Sequence, residues 1–438
     1  MALALGLFQA HPLKAGEPSR AMPNATEASV FTASAALDLE ALETLLATRS
    51  ARSERVKLSV ELAEAEALGA RLLPNPVIDG TWGTVPIGTT NPSDLADPLG
   101  NVPHYDIGVS YTVPIGKRGP QKARANAAVH AAEADRDDLA RSEALELGHV
   151  LGRVATVQLR LAGLTDLAAQ GQEAIALAEA RVQAKFGVPL EVDRLRIEVD
   201  RTSQQISRAT ADLSGLLGDC SLLLVQRCAP FKTPEEAKLF LRRWVELALK
   251  AQGDVEQRAD LRGLRAREDV ADAHLAYAKA LAIPDPTVRL GYTYDRFIIS
   301  GNQMNSLNLS LSIPVPLFDH GQSERRAAGA ARERLAQEIS RRKRGSAEAI
   351  EIFRLQIQTH LTQQQLLEED LIPRAEEILH ALQRAAASGL VPLTDTLQAR
   401  RTLGELLVEE AENYGAAFEA ALALAAEFPS SAVSRPRE

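Results

Sequence analysis

The same pattern of residues occurs twice in this chain, at a displacement of 202 residues from position 114 to position 316. The gap from the proline to the later glycine is identical in the two copies and is filled with helix-forming residues. Each copy therefore contains a rigid element of fixed length, and such a repeat decides the fold class before any other feature. The matching residues are Pro114-Ile115, Gly119, Gly187 and Asp193 in the first copy, and Pro316-Leu317, Gly321, Gly389 and Asp395 in the second.

Composition favours long helices over a sheet-rich globular core. Aromatic residues make up 4% of the 438 residues, and the long middle segments are rich in Ala, Leu, Glu, Arg and Gln. A net charge of −9 argues against a nucleic-acid partner. We also expect no membrane-spanning helix, because no run of about 18 or more apolar residues occurs.

The repeats divide the chain into five parts. We expect an N-terminal segment at 1–35, a first repeat at 36–217, an equatorial linker at 218–238, a second repeat at 239–428 and a C-terminal tail at 429–438. The N-terminal segment is either the remnant of a signal or disordered, since the apolar stretch from Ala2 to Phe8 is short and has no preceding basic residue.

The linker is predicted to be loop-like and carries both cysteines of the chain, Cys220 and Cys228. They are close enough in sequence to pair in an oxidising compartment and would be two free thiols in the cytosol, so the sequence leaves both states open. A zinc site is not expected there, because no histidine or further cysteine lies nearby in sequence.

Each repeat opens with a helical pattern, over Leu37–Leu73 and Phe240–Ile283. These helices should stop at Pro74-Asn75-Pro76 and Pro284-Asp285-Pro286, because a residue before proline favours an extended backbone. Apolar and polar residues then alternate, which predicts strands with one apolar and one polar face. The alternating apolar residues are Tyr105, Ile107, Val109, Tyr111 and Val113, then Val288, Leu290, Tyr292 and Tyr294, then Leu307, Leu309, Leu311 and Ile313, with a less regular stretch at 78–85 that includes Trp82.

Alternation alone fits a soluble hairpin packed on a helix, but the strands also have the length that crosses a bilayer, about nine or ten residues. Tyrosine and tryptophan on them suit the interfacial girdles of a membrane barrel. Two hairpins give four strands, too few to close a barrel, and open edges cannot sit in lipid. Three copies would give a twelve-stranded barrel, an even number in the allowed range.

Very long helical segments follow the strands, at Lys117–Phe186 and Gln322–Ser388. At 1.5 Å per residue, about 70 residues extend about 100 Å. The opening helix and the shorter return helix of each copy, from Glu191 and from Leu393, together match this length, so we expect a long helix to lie against two shorter ones stacked end to end. The tips reverse the chain with a glycine at the helix end and a proline at the start of the next helix.

One irregularity recurs in the long helices. Gly171 and Pro373 both lie 16 residues before their tip glycines. Glycine weakens a helix and proline kinks it, so the pair indicates either a built-in bend or tolerated substitutions.

Together these motifs make the chain resemble the TolC-like family of outer-membrane efflux proteins, and within it the heavy-metal, CzcC-like branch. The resemblance covers about residues 35–428, and short motifs carry it. They are Pro74-Asn75-Pro76, Arg258-Ala259-Asp260-Leu261, Pro284-Asp285-Pro286, Pro316-Leu317-Phe318-Asp319 with Gly321, and the two glycine tips.

The resemblance implies a mostly helical fold with membrane β-structure: a homotrimer with a twelve-stranded barrel in outer-membrane lipid, continued by a helical barrel across the periplasm. It implies docking to a periplasmic adaptor and to an inner-membrane pump that supplies the energy for efflux of metals or drugs. It implies no catalytic residue and no cofactor.

The resemblance also assigns candidate site residues. The adaptor-docking tips are Gly187, Val188 and Pro189 in the first copy, and Gly389, Leu390, Val391 and Pro392 in the second. Asp193, Asp395 and Gln398 are candidates for narrowing the periplasmic entrance. The alternative for the two aspartates is a favourable carboxylate in the first turn of a helix.

Two other functions remain as alternatives, a periplasmic adaptor and a soluble coiled-coil scaffold. Adaptors have one helical hairpin, whereas two are expected here, and a scaffold leaves the alternating strands unexplained. An enzyme is not expected, because the sequence has no HExxH, no phosphate-binding glycine loop and no nucleophile elbow. The scattered histidines, such as His104 and His320, and the three methionines give no metal-binding pattern.

Overall fold

The computed structural model describes most of both repeats. The described residues are 30–34, 36–49, 51–83, 104–185, 187–295, 303–388, 390–391 and 393–430. The N-terminal segment and the C-terminal tail expected from the sequence thus lie largely outside the described residues.

The first repeat contains a long helix between shorter ones, as the sequence predicts. A two-residue strand, β1, precedes the helices of this repeat. Its elements are β1 (Phe31–Thr32), α1 (Leu39–Arg49), α2 (Ala51–Arg71), β2 (Val77–Gly83), β3 (His104–Thr112), α3 (Arg118–Gln183) and α4 (Pro189–Leu224). The 66 residues of α3 correspond to about 100 Å of helix.

The second repeat follows the same order. Its elements are β4 (Cys228–Ala229), α5 (Pro234–Lys250), a 3₁₀ turn (Val255–Gln257), α6 (Ala259–Ala280), β5 (Thr287–Asp295), β6 (Asn305–Ser312), α7 (Gln322–Leu366), a π-turn (Leu367–Leu371), α8 (Ile372–Ala387) and α9 (Leu393–Ala426). Helix α3 packs against α2 and α4, and α7 packs against α6 and α9, so the predicted stacking of two shorter helices beside a long one is confirmed.

Within the described residues, the two β-hairpins join into one antiparallel sheet of order β2-β3-β5-β6. The join is the pair β3–β5, in which Ile107 lies opposite Tyr292 and Gly108 opposite Gly291. The first and second repeats therefore form a single sheet, and β2 and β6 are its edges.

The main hydrophobic core lies where both repeats meet at the middle of the helices. Trp244 and Phe240 of α5 pack with Phe418 of α9, and the ring centroids of Phe240 and Phe418 are 5.6 Å apart. Helix α3 approaches so closely that a Cβ at Gly152 would lie 2.1 Å from a ring carbon of Phe418. This core fixes the two hairpins against each other, far from their tips.

The predicted linker contains more helix than expected, because α4 continues to Leu224. Leu216, Cys220 and Leu224 are spaced four residues apart and are all buried, which explains the extension. Cys220 and Cys228 are bonded to each other, and β4 pairs with β1. Of the two states left open by the sequence, the structure has the disulfide.

The opening helix predicted for Phe240–Ile283 is instead broken between α5 and α6. Gly253 lies in the break, and the side chain of Asp254 accepts a hydrogen bond from the Glu256 N–H at 2.9 Å. This local capping competes with helix continuation.

The two recurring irregularities of the long helices have different structures. Pro373 is the second residue of α8, which follows the π-turn. Because proline has no N–H and clashes with the carbonyl four residues earlier, a widened turn at this point accommodates it. Helix α3, in contrast, is continuous through Gly171. There the missing side chain admits Val199 of α4, whose Cγ2 would lie 2.5 Å from a Cβ.

Candidate functional site

The central strands β3 and β5 expose apolar side chains and shield most of their polar ones, the reverse of a soluble sheet. Ile107 and Leu290 are 58% and 57% exposed, whereas Gly108 and Gly291 are buried and the polar side chains that flank them on the same strands are half-buried. An apolar face this extensive needs an apolar surrounding. The side chains of this apolar face, at or next to the strands, that are more than one third exposed are Ile78, Trp82, Tyr105, Ile107, Val109, Val113, Val288, Leu290, Tyr292, Leu307, Leu309, Leu311 and Ile313.

Aromatic rings form a row across the end of the sheet that is farther from the helices. Trp82, Tyr105 and Tyr294 are paired across β2, β3 and β5, with ring centroids 6.0 and 6.3 Å apart. From Tyr105 to Val113 the apolar face extends about 25 Å along the strand. A band of that height next to an aromatic row is typical of a membrane β-sheet.

The polar face of the sheet carries a network that crosses every strand. Arg289 Nε and Nη2 donate to Asp79 Oδ2 at 2.8 and 2.6 Å, and Nη2 also contacts Asp106. Thr293 donates to Asp106 at 2.7 Å and accepts from Asn308. Polar contacts thus connect β2, β3, β5 and β6 in turn, on the face of the sheet opposite the apolar one.

Two paired glycines make room for this network. A Cβ at Gly108 would lie 2.5 Å from Arg289 Nη2, and a Cβ at Gly291 would lie 2.5 Å from Nη1. The guanidinium therefore lies across the backbone of both strands, a position that a side chain at either residue would obstruct.

At the other end of the molecule, the first tip differs in detail from the predicted turn. The residue with left-handed backbone is Lys185, at φ 65°, rather than Gly187. A Cβ at Gly187 would lie 3.0 Å from the backbone N of Val182, so the absence of a side chain lets the turn pack closely against the end of α3. Pro189 is the first residue of α4, as predicted.

Part of the second tip can be described. Gly389 and Pro392 lie outside the described residues, whereas Leu390 is 79% exposed and its N–H donates to Ala385 O at 2.9 Å. Arg181 of α3 donates to Ala386 O at 2.6 Å, so the end of α3 contacts the end of α8 and the two tips lie side by side.

The candidate entrance residues lie on the first turns after the tips. Asp193 is exposed on α4 and is 3.6 Å from Arg196. Asp395 and Gln398 are exposed on α9. Deeper on the same helix, Arg400 is 6% exposed, and among the described residues its guanidinium nitrogens have no hydrogen-bond partner.

The π-turn is bound to the middle of the molecule by a polar cluster that the sequence does not reveal. Lys238 Nζ of α5 lies 2.5 Å from Glu368 in the π-turn and 3.0 Å from Glu410 of α9. Tyr414 donates to Glu368 at 2.5 Å. Lys238 also lies over the Tyr414 ring, 4.9 Å from its centroid.

This cluster shifts the pKa of its members. Burial alone would lower the pKa of Lys238, but the Glu368 and Glu410 carboxylates reverse this and raise it. Burial would raise the pKa of Glu368, but hydrogen bonds from Lys238 and Tyr414 outweigh it, so the pKa is lowered. Burial, with the hydrogen bond to Glu368, raises the pKa of Tyr414 to about 12.

The described residues contain no group of three or more His, Cys, Asp or Glu side chains placed to hold a metal ion.

No helix among them is both long enough and apolar enough to cross a membrane.

An antiparallel sheet with one exposed apolar face, continued by two long helical hairpins, is the architecture of solved outer-membrane channels. Residues 254–426 match the family model described as outer membrane efflux protein. The match covers most of the second repeat, and it agrees with the resemblance to the TolC-like outer-membrane efflux proteins.

Solved structures show the same fold across both repeats. The outer membrane protein VceC from Vibrio cholerae is 17% identical, with a TM-score of 0.67 over 89% of this chain and 95% of its own. CusC, whose structures concern transmembrane channel formation, is 14% identical, with a TM-score of 0.71 over 90% and 92%. The Neisseria gonorrhoeae MtrE outer membrane channel is 14% identical, with a TM-score of 0.67 over 89% and 88%.

At these identities the likeness concerns the fold. No curated protein matches the chain by sequence.

Proposed function

We propose that three copies of this chain form the outer-membrane channel of a tripartite efflux system, a passive exit duct driven by an inner-membrane pump. The observation that carries the proposal is the outward apolar face of the sheet, at the end of helices that extend about 100 Å. The sheet suits lipid, and the helices suit a passage through the periplasm.

Closure of the sheet supports the number of copies. In the described part of the chain, β2 and β6 each have one unpaired edge, and an open edge is not stable in lipid. Because β2 leads away from the helices and β6 returns toward them, β6 of one copy can pair in antiparallel fashion with β2 of the next. Three copies then give twelve strands.

Exposed apolar side chains on helices α2 and α7 support the same arrangement. On α2, Leu58 and Leu62 are 60% and 63% exposed; on α7, Ile352 and Leu355 are 54% and 65% exposed. Helices α2 and α7 lie on opposite sides of the helical part of the chain, because α3, α6 and α9 lie between them. Head-to-tail packing of copies would bury both apolar surfaces.

The tips and entrance residues are part of this proposal. The tips at 187–189 and 389–392 would receive the helical hairpins of a periplasmic adaptor, and Asp193, Asp395 and Gln398 would face the entrance. We propose heavy-metal cations or drugs as cargo, the former because of the resemblance to the heavy-metal branch. The repeats at 36–217 and 239–428 would be the two structural units of each copy.

Cell fractionation and conductance test the proposal together. We expect the chain in the outer-membrane fraction as a heat-resistant trimer, and we expect the purified protein to give ion conductance in planar bilayers without any pump. A periplasmic adaptor would give no conductance. A monomer in the soluble fraction would refute the proposal.

A further inference from the structure

The foot of the β3–β5 pair, where the strands meet the helices, is fastened by one carboxylate. Val113 N–H donates to Pro286 O at 2.9 Å. Asp285 Oδ1 then accepts from Ile115 N–H at 3.0 Å, and Asp285 Oδ2 accepts from Lys117 Nζ at 2.7 Å. The Pro-Asp-Pro segment before β5 thus holds the turn that follows β3.

This foot is substantially shielded from water. The Lys117 and Asp285 side chains are 15% and 23% exposed. Charge-assisted hydrogen bonds in such a partly buried place are short and strong, so they hold the turn in one geometry.

The repeat places the same two segments at the free edges of the sheet. Val113, Ile115 and Lys117 correspond to Val315, Leu317 and Asp319, which follow β6. Pro284-Asp285-Pro286 corresponds to Pro74-Asn75-Pro76, which precedes β2.

Exposure shows that this second foot has no partner surface within the described chain. Val315 and Leu317 are 70% and 74% exposed, whereas Val113 and Ile115 are 39% and 44% exposed. The difference is the surface that a pairing like that of β3 with β5 would cover. Phe318, next to Leu317, is 89% exposed.

We propose that Asn75 of one copy fastens the turn after β6 of the neighbouring copy. In this contact Val315 N–H donates to Pro76 O, Leu317 N–H donates to Asn75 Oδ1, and Asn75 Nδ2 donates to the Asp319 carboxylate. The inference rests on the proposed function, because it needs a second copy beside each edge.

The substitutions between the repeats fit this contact chemically. The foot of the β3–β5 pair (the internal foot) joins Asp285 to the cation Lys117, whereas the second foot, after β6, has an anion, Asp319, at the matching position. A carboxylate at 75 would repel it, whereas an amide offers one acceptor and two donors. The acceptor suits Leu317 N–H and a donor suits Asp319, so the neutral residue at 75 matches the negative residue at 319.

The groups involved are available in the single chain. Leu317 N–H is bonded only locally, to Val315 O at 2.9 Å, in a three-residue turn that a stronger acceptor can replace. Asp319 Oδ1 accepts from Gly321 N–H at 2.9 Å, which leaves Oδ2 for Asn75.

Cysteine pairs test the geometry directly. We expect the variant carrying Asn75→Cys and Leu317→Cys to form disulfides between copies, seen as trimer bands on non-reducing gels and lost on reduction. The matched control carries Ile115→Cys and Asp285→Cys at the internal foot and should form a disulfide within one chain. The native Cys220–Cys228 bond leaves no free thiol in the described parent chain to interfere.

The oligomeric state of the parent protein distinguishes failure of this contact from failure of the proposed function. Suppose that an amine-reactive cross-linker traps a trimer and that the control disulfide forms. Absence of the disulfide between the cysteines introduced at positions 75 and 317 would then overturn this inference and leave the proposed function intact. If the parent protein is a monomer in membranes, both the proposed function and this inference are wrong.

A charge exchange provides a second test that does not depend on cysteine. Asn75→Asp should lower the temperature at which the trimer dissociates by several degrees, because it opposes Asp319 with a second carboxylate. Adding Asp319→Lys should restore the dissociation temperature, since it recreates the Asp–Lys pair of the internal foot. An unchanged temperature in the single variant, or no recovery in the double variant, would contradict the contact.

Discussion

Glycine at position 108 allows the Arg289 guanidinium to lie across two strands. Gly108→Ala would place a Cβ 2.5 Å from Arg289 Nη2 and displace the guanidinium from Asp79 and Asp106. We expect a lower thermal unfolding temperature of the membrane-inserted protein, measured by circular dichroism.

The neighbouring strand supplies a matched control. A Cβ at Gly80 would meet only Asp106 O, at 3.8 Å, which is ordinary contact. Gly80→Ala should therefore change the unfolding temperature much less, and an equal loss in both variants would show that the guanidinium position is not the cause.

Gly152 has a comparable role in the main core. Gly152→Ala would bring a Cβ within 2.1 Å of the Phe418 ring and overpack the place where the repeats meet. We expect it to destabilise the protein by about 1–3 kcal/mol. Gly329→Ala on α7, where an added Cβ would have no atom within 4 Å beyond its own helix backbone and its chain neighbours, should instead be neutral or stabilise by about 0.5–1 kcal/mol. Denaturant titration of the two variants measures the contrast.

At the scale of elements, the π-turn depends on a lysine from a different helix. Lys238→Met would leave the Glu368 and Glu410 carboxylates without their cation, so we expect a lower unfolding temperature at neutral pH. The pKa of Glu368 is lowered in the folded protein, so its contribution is present above the ordinary carboxyl pKa and is lost as pH falls through the lowered value.

The difference between parent and variant should therefore be largest at neutral pH and should shrink below about pH 4. Thermal melts across that pH range check the prediction. Lys232→Met, which changes an exposed lysine just before α5, is the control, and a pH-independent difference would argue against the ionic origin of the effect.

The strands could be predicted from sequence because alternation is a local signal, and β2, β3, β5 and β6 lie where it places them. The π-turn could not be specified, although Pro373 marks its position. A proline indicates a disturbed helix, but a kink, a break and a widened turn are all consistent with a proline at this position.

The polar sites were harder to predict, because their partners are remote in sequence. Asp79, Asp106 and Arg289 all occupy polar positions of alternating strands, so their common face follows from the sequence. Their contact follows only from the β3–β5 register, which no local pattern gives. Lys238 and Glu368 lie 130 residues apart, on helices whose packing depends on the whole fold.

For the molecule as a whole, the charge on Asp395 belongs to the proposed entrance. Asp395→Ala should raise single-channel conductance or weaken block by cations, and Asp395→Asn should act in the same direction because it removes the same charge. The effect should shrink at about 1 M salt, where screening extends only about 3 Å. Unchanged conductance and unchanged block in planar bilayers would leave Asp395 with the role of a helix-terminal charge.

The outward apolar face of the sheet also constrains how the chain reaches its native state. A single copy that completed this sheet in water would present adjoining rows of leucine, isoleucine and tyrosine side chains to other unfinished copies. Folding of the strands and entry into a lipid phase must therefore proceed together. Refolding from denaturant should yield native protein when detergent micelles or vesicles are present from the start, and aggregate when they are added afterwards.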